Sequence, residues 1–150
     1  GGISDYNQIV LSLASEHKTT KNIRSKKAFT VSFGTEEHLI GEDYVGIVSG
    51  NEVKDKFVKA GFHVLASEFV DAPLIAELPM ALECRLIKES EDGLFFGEIV
   101  NVSVDASFID ENGKIDPSKM GFVSYDPVNH VYLRVGGVAG KAFFEGKKRK

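Results

Sequence analysis

A long β-hairpin in the second half of the chain constrains the fold more than any other feature of the sequence. Apolar and polar residues alternate through residues 81–88 and again through 94–104, the period of strands that bury one face. Residues 90–93 separate the two stretches and end in Gly93, which is typical of a turn. Strands joined by so short a turn pair antiparallel. The sequence therefore predicts a sheet built around this hairpin.

The part of the chain before the hairpin begins with a strand, a helix and a second strand. Alternation predicts strands over residues 8–14 and 28–33, and residues 17–27 between them predict a short helix. Thr35, followed by two glutamates, predicts the capped start of a helix that continues to about Ser49. A further helix is predicted over residues 52–60 and ends at Gly61, a residue that favours the position after a helix.

The part after the hairpin consists of short β-segments. Asn112-Gly113 is a turn signal, and residues 122–125 and 130–135 predict two more strands. Only the first unit of the chain has the strand–helix–strand order of a parallel α/β sheet. The fold class predicted is therefore mainly β, a β-barrel with a few helices that fill its ends or cover one side.

The composition limits the classes of protein to which the chain can belong. Its 150 residues fit a single domain over residues 1–150, with 43% apolar and 27% charged residues. The single cysteine, Cys84, makes no internal disulfide, so we expect a reducing, cytoplasmic location. No run approaches the ~20 apolar residues of a membrane helix, and we expect no membrane partner. The net charge of −4 argues against nucleic-acid binding, and the basic tail 147–150 is interpreted as a solvated terminus.

Two short segments could carry chemistry, and both are candidate anion sites. Lys18, Thr19, Thr20 and Asn22 lie at the predicted start of a helix, where hydroxyls, free N–H groups and cations make a phosphate cradle. A capped surface helix with solvated lysines is the alternative for this segment. Residues 49–57 offer a weaker second cradle. The four histidines are scattered and predict no metal site, and Cys84 lies in an alternating strand as a buried, inert thiol.

Five segments, in this order, resemble the flavin reductase-like FMN-binding split barrels, and particularly their flavoredoxin-type branch. The matching segments are KTTKNI (18–23), AFTVSF (28–33), SGNEVKDKFVKAGF (49–62), DAPLIAELPMALECRL (71–86) and GLFFGEIVNVSVD (93–105). Together they cover most of residues 8–105, and the last 45 residues match more loosely. The resemblance implies an FMN-binding split barrel. It also implies a first hairpin before Gly1, which this sequence lacks.

The resemblance implies that FMN binds at the interface of a homodimer. By position, the phosphate would lie near Thr19, Thr20 and Asn22, with Lys18 beside them. Lys56 would reach the flavin or its phosphate. Ser49 and Lys54 are further candidates, and Tyr132 is the candidate aromatic contact.

The chemistry implied by the resemblance is an NAD(P)H:flavin oxidoreductase reaction. Hydride from NADH or NADPH would reach FMN, and the electrons would pass to free flavin or to a redox partner protein. Hydride transfer to a flavin needs no general acid or base, so no catalytic side chain is assigned. A non-enzymatic FMN-binding electron carrier is the alternative. A nucleic-acid-binding small barrel is disfavoured, because glutamates accompany the few cations of strands 81–104.

Overall fold

The computed structural model describes residues 1–149, and Lys150, the last residue of the predicted basic tail, lies outside them. The strands of this described part are β1 (Gly2–Asp5), β2 (Gln8–Ser12), β3 (Ala28–Ser32), β4 (Val64–Ala66), β5 (Pro73–Ile75), β6 (Met80–Glu89), β7 (Leu94–Val104), β8 (Val123–Asp126) and β9 (Val131–Arg134). The α-helices are α1 (Lys18–Lys26), α2 (Leu39–Ile47) and α3 (Lys56–Lys59), and short 3-10 turns occupy Ala106–Phe108, Pro117–Lys119 and Glu145–Arg149. The fold is mainly β with few helices, as predicted.

An antiparallel five-stranded sheet in the order β1-β2-β7-β6-β3 is the centre of the molecule. The β6–β7 hairpin is its longest pair, in register from Met80 opposite Val104 to Glu89 opposite Phe95, with two irregularities. This confirms the predicted hairpin. Strands β4 and β5 form a separate hairpin, and so do β8 and β9.

The core lies on one face of this sheet and is closed by α1. Ile9, Phe29, Leu82 and Phe95 are buried on four neighbouring strands, and Ile23 reaches them from the helix. Burial of each of these side chains stabilises the fold by about 1.5–3 kcal/mol. Gly97 on β7 leaves room for the ring of Phe29. A Cβ at this position would lie only 2.8 Å from Phe29 Cε1. Through Ile23, the apolar face of α1 packs against the sheet.

Two of the predicted helices differ from the observed ones. Thr35 does not cap α2: it is buried in an isolated bridge with Phe122, and α2 begins at Leu39 after His38. The helix predicted over residues 52–60 was wrong over its first half, because α3 spans only Lys56–Lys59. Residues 49–53 instead form a turn in which the carbonyl of Ser49 accepts from the N–H groups of Glu52 and Val53. The predicted end at Gly61 is confirmed by its left-handed φ of 80°.

The sequence did not predict β1 or the β4–β5 hairpin. Polar contacts attach this hairpin to the outer face of the sheet. The Thr30 hydroxyl donates to the Pro73 carbonyl, and Ser67 donates to the carboxylate of Glu83. Lys26 forms an ion pair of 2.7 Å with Asp71. Among the described residues, no helix is both long enough and apolar enough to span a membrane.

Candidate functional site

The first turn of α1 has the features of an anion site. His17 precedes the helix and makes no side-chain capping hydrogen bond, and the first turn contains no acidic residue. The first N–H groups of any helix lack partners inside it and carry positive partial charge. Lys18 and Lys21 add two cations there, where the helix dipole disfavours them. These features favour an anion at this end of the helix.

The second predicted segment lies directly against this turn. Asn51 bridges it: its Nδ2 donates to the carbonyl of Glu16 at 3.0 Å, and its Oδ1 accepts from Lys21 Nζ at 3.2 Å. A Cβ on Gly50 would lie 3.4 Å from Lys18 Cβ and 3.6 Å from Lys56 Cε. The structure thus brings the loop of residues 49–51 and the start of α1 together, across about thirty residues of sequence.

Two of the predicted phosphate residues are engaged in contacts within the protein. Thr20 is 0% exposed, and its hydroxyl donates to the carbonyl of Ala14 at 2.7 Å. Lys56 Nζ donates to the carbonyls of Val45 and Val48, at 3.0 and 3.1 Å. These carbonyls belong to the C-terminal end of α2, where a cation is favoured by the helix dipole. Thr20 thus links the start of α1 to the segment before it, and Lys56 stabilises the end of α2.

The other predicted residues of the two segments are all exposed, namely Lys18, Thr19, Asn22, Ser49 and Lys54. Thr19 and Asn22 are exposed on α1, and Lys54 is exposed in the turn that follows the loop. Ser49 accepts from the N–H of Asn51 at 3.2 Å, which closes the loop. Lys18 and Thr19 occupy the first two positions of α1, where the uncapped N–H groups lie, and both are exposed.

Tyr132 contacts α2. Its hydroxyl donates to Asp43 Oδ1 at 2.7 Å, and its ring lies 5.5 Å from that of Tyr125. The hydrogen bond to Asp43 is the main reason why the pKa of Tyr132 is raised. The hydrogen bond links the β8–β9 hairpin to α2, and Tyr132 as a whole is 39% exposed.

Sequence reasoning missed Asn51, although its segment was selected. Its role depends on Glu16 and Lys21, which are distant in sequence, so no local pattern could have found it. Large apolar side chains that are exposed form a second missed feature. Ile40 is 90% exposed, Ile47 76%, Val58 76% and Phe143 98%. Further exposed apolar side chains lie within the β8–β9 hairpin and in the segment just after it, at Val128, Val131, Leu133, Val135 and Val138.

Sequence comparisons give a family for this architecture. The family model of the flavin reductase like domain matches residues 5–119. A relative from Aquifex aeolicus is 32% identical over 138 residues, which cover 86% of this chain and 63% of the relative. A relative from Archaeoglobus fulgidus is 37% identical over 91 residues, which cover 59% of this chain and 50% of the relative. The chain thus spans less than two thirds of the length of these relatives.

Solved structures with the same fold agree with the family match. Flavoredoxin of Desulfovibrio vulgaris (Miyazaki F) has a TM-score of 0.88 at 38% identity, covering 93% of this chain and 75% of that protein. Flavoredoxin from Methanosarcina acetivorans has a TM-score of 0.88 at 27% identity, covering 100% and 81%. A Shewanella frigidimarina protein with a split barrel domain has a TM-score of 0.68 at 19% identity, covering 89% and 75%, and shows the fold alone. The predicted split barrel is therefore confirmed, and the chain belongs to the flavin reductase like family.

Proposed function

We propose that this protein binds FMN and uses it as an NAD(P)H-dependent flavin oxidoreductase. The observation that carries the proposal is the first turn of α1, which has no acidic residue and two lysines. Helix N-terminal N–H groups with nearby cations are a common phosphate site. The flavoredoxins that the chain resembles at 38% and 27% identity support a flavin as the group that carries the phosphate.

The residues at this turn fit a phosphate. The hydroxyl of Thr19 and the ammonium of Lys18 would donate to its oxygens, together with the backbone N–H groups of the turn. Thr20 and Lys56 would support the site from behind through their contacts with the Ala14 and Val45 carbonyls. Bound FMN would supply the redox chemistry by accepting hydride from NADH or NADPH.

We propose that the working form is a homodimer. The exposed side chains of Ile40 and Ile47 on α2 and Val58 on α3 give an apolar surface that water solvates poorly. A second copy of the chain would cover such a surface. Electrons would then pass to free flavin or to a redox partner protein. The cytoplasmic location stays a prediction from the single cysteine.

A visible spectrum taken after gel filtration tests the proposal. The purified protein is incubated with FMN and passed through the column with light-scattering detection, and NADH or NADPH oxidation is followed on the same sample. We expect flavin bands that co-elute with a dimer, and pyridine nucleotide oxidation that depends on FMN. Co-eluting flavin without turnover would favour the electron carrier. A colourless protein would refute FMN binding.

A further inference from the structure

A cavity of about 220 Å³ lies at the end of the sheet where β3 and β7 end and β6 begins. Asp105 follows β7 directly, and Pro79 directly precedes β6. The other residues that line the cavity are Thr35, Glu37, His38, Glu77, Phe108 and Met120. The start of α1 belongs to the opposite end of β7, because Ser12, the last residue of the strand before α1, pairs with Leu94. The 11 residues of β7 span about 35 Å between these two ends.

The charge on the walls of this cavity is negative. Glu37, Glu77 and Asp105 supply three carboxylates, and no lysine or arginine is among the lining residues. Within the described part of the chain, Glu37 and Asp105 form no ion pair. Glu77 pairs there only with His63, which is charged only when it is protonated. The cavity therefore favours a cation.

A buried hydroxyl in the same wall has no hydrogen-bond partner. Thr35 is 3% exposed, and its N–H donates to Glu42 Oε1 at 2.7 Å, but its hydroxyl makes no hydrogen bond. No other buried side-chain oxygen or nitrogen of residues 1–149 lacks a partner. A buried polar group without a partner costs stability, and native proteins pair nearly all such groups with protein, water or a ligand. The hydroxyl oxygen can accept from an N–H group of a ligand in the cavity.

The arrangement of these groups selects the kind of cation. Among residues 1–149, no three His, Cys, Asp or Glu side chains are placed to hold a metal ion together. A planar organic cation can instead reach acceptors that lie apart, because a guanidinium has several N–H groups that point in different directions. Pro79, Phe108 and Met120 give the cavity an apolar side, along which the alkyl stem of such a cation can lie.

We propose that this cavity binds a small alkylguanidinium. The three carboxylates accept from its N–H groups, and the Thr35 hydroxyl accepts one more. The alkyl stem lies against Phe108 and Met120. This cation site is separate from the proposed flavin site, because the cavity and the start of α1 lie at opposite ends of β7.

Titration of isotope-labelled protein with butylguanidinium, followed by amide chemical shifts in NMR spectra, tests the proposal. We expect saturable shifts at the amides of residues that line the cavity, such as Thr35 and Asp105, and none at Lys18. Butylurea has a similar shape and no charge, and it should bind at least about tenfold more weakly. Calcium chloride should give no saturable shift, because the carboxylates do not form a metal site.

Two variants separate the carboxylates from the hydroxyl. Glu37→Gln removes one charge and should weaken butylguanidinium about threefold. Thr35→Val removes the unpaired hydroxyl at similar shape and should also weaken binding about threefold. In the free protein, however, Thr35→Val should raise the urea midpoint, because it removes a buried polar group that has no partner. Glu91→Gln is the matched control, an exposed glutamate in the β6–β7 turn, and should change neither property.

The absence of saturable shifts with butylguanidinium, or an equal affinity for butylurea, would overturn the proposal. A stronger response to calcium ions than to butylguanidinium would overturn the choice of an organic cation. A Thr35→Val protein less stable than the wild type would show that the hydroxyl serves the neighbouring Glu42. The site would then lose the buried group on which it rests.

Discussion

The buried carboxylate of Glu83 provides the sharpest test of the interactions that hold the β4–β5 hairpin against the sheet. Glu83 is 1% exposed on β6, and three side chains donate to it. Ser67 comes from the hairpin segment, whereas Asn101 and Ser103 come from β7, with Asn101 Nδ2 at 2.6 Å. Each hydrogen bond to a charged group contributes about 1.5–3 kcal/mol, against about 0.5–1.5 kcal/mol for a neutral one.

The loss of stability expected from replacing this carboxylate can therefore be calculated. Glu83→Gln keeps the shape, but its single carbonyl oxygen can replace only Oε1, so the bonds from Asn101 and Ser103 become neutral and the bond from Ser67 to Oε2 is lost or reversed. The lower desolvation cost of an amide offsets part of that loss. We expect the free energy of unfolding to fall by about 1.5–3 kcal/mol in Glu83→Gln, and by about 3–5 kcal/mol in Glu83→Ala, which leaves three donors without an acceptor. The control is Glu68→Gln, an exposed glutamate beside Ser67, with an expected change within about 0.5 kcal/mol.

The pH dependence gives an independent check. Burial alone would raise the pKa of Glu83, but the hydrogen bonds from Ser103, Ser67 and Asn101 outweigh it and hold the pKa below its ordinary value. A carboxylate with a lowered folded-state pKa stabilises the fold fully above its unfolded pKa of about 4.3, and that stability is lost as the pH falls through the folded-state pKa. The difference between wild type and Glu83→Gln should therefore shrink below about pH 4.

Urea unfolding at one fixed protein concentration measures these differences, because the apparent stability of the proposed dimer would depend on concentration. Hydrogen exchange adds a local reading: the N–H groups of Phe69 and Val70 donate to Ser67 Oγ at 3.0 Å and should exchange faster in Glu83→Gln. A Glu83→Gln protein within about 0.5 kcal/mol of the wild type at neutral pH would refute the reasoning.

Three further predictions concern packing, the thiol and the loop support. Gly41→Ala should destabilise the protein by about 1–3 kcal/mol in urea unfolding, because its Cβ would lie 2.5 Å from the Ala60 carbonyl oxygen. Gly46→Ala on the same helix meets no atom within 4 Å and should gain up to about 1 kcal/mol, so equal stabilities would contradict this packing. Burial raises the pKa of Cys84 to about 11, so a thiol reagent at pH 8 should label it only after denaturation, and rapid labelling of native protein would disprove its burial. Lys56→Met should lower the unfolding free energy by about 1–3 kcal/mol and weaken FMN and riboflavin alike, whereas a loss confined to FMN would place Lys56 on the phosphate.

Local sequence pattern predicted the parts of the fold that depend on local pairing. The 81–104 hairpin was predicted with nearly its observed bounds, since its strands are neighbours in sequence and alternate in polarity. The β4–β5 hairpin was missed because its strands, Val64–Ala66 and Pro73–Ile75, have three residues each and little alternation. A large part of what holds it comes from distant partners such as Glu83, which no window of sequence contains.

At the candidate site, too, local features were predictable from the sequence and tertiary contacts were not. The start of α1 was predicted because helix ends depend on nearby residues. Which donors stay free for a ligand was not predictable, because it depends on tertiary partners. The Thr20 hydroxyl and the Lys56 ammonium are both bound to carbonyls of the chain itself. The sequence therefore predicted where the helix begins better than which side chains stay available there.

The first turn of α1 shows why this distinction matters for function. Two lysines, no acidic residue and no side-chain cap each oppose helix formation at that end. Local choices in a protein usually agree with its fold, and conflicts concentrate where binding requires them. The chain offsets this conflict with contacts from outside the turn: Thr20 to the Ala14 carbonyl and Asn51 to the Glu16 carbonyl. These contacts support the turn without placing an acidic side chain against its lysines, which is what the proposed phosphate site requires.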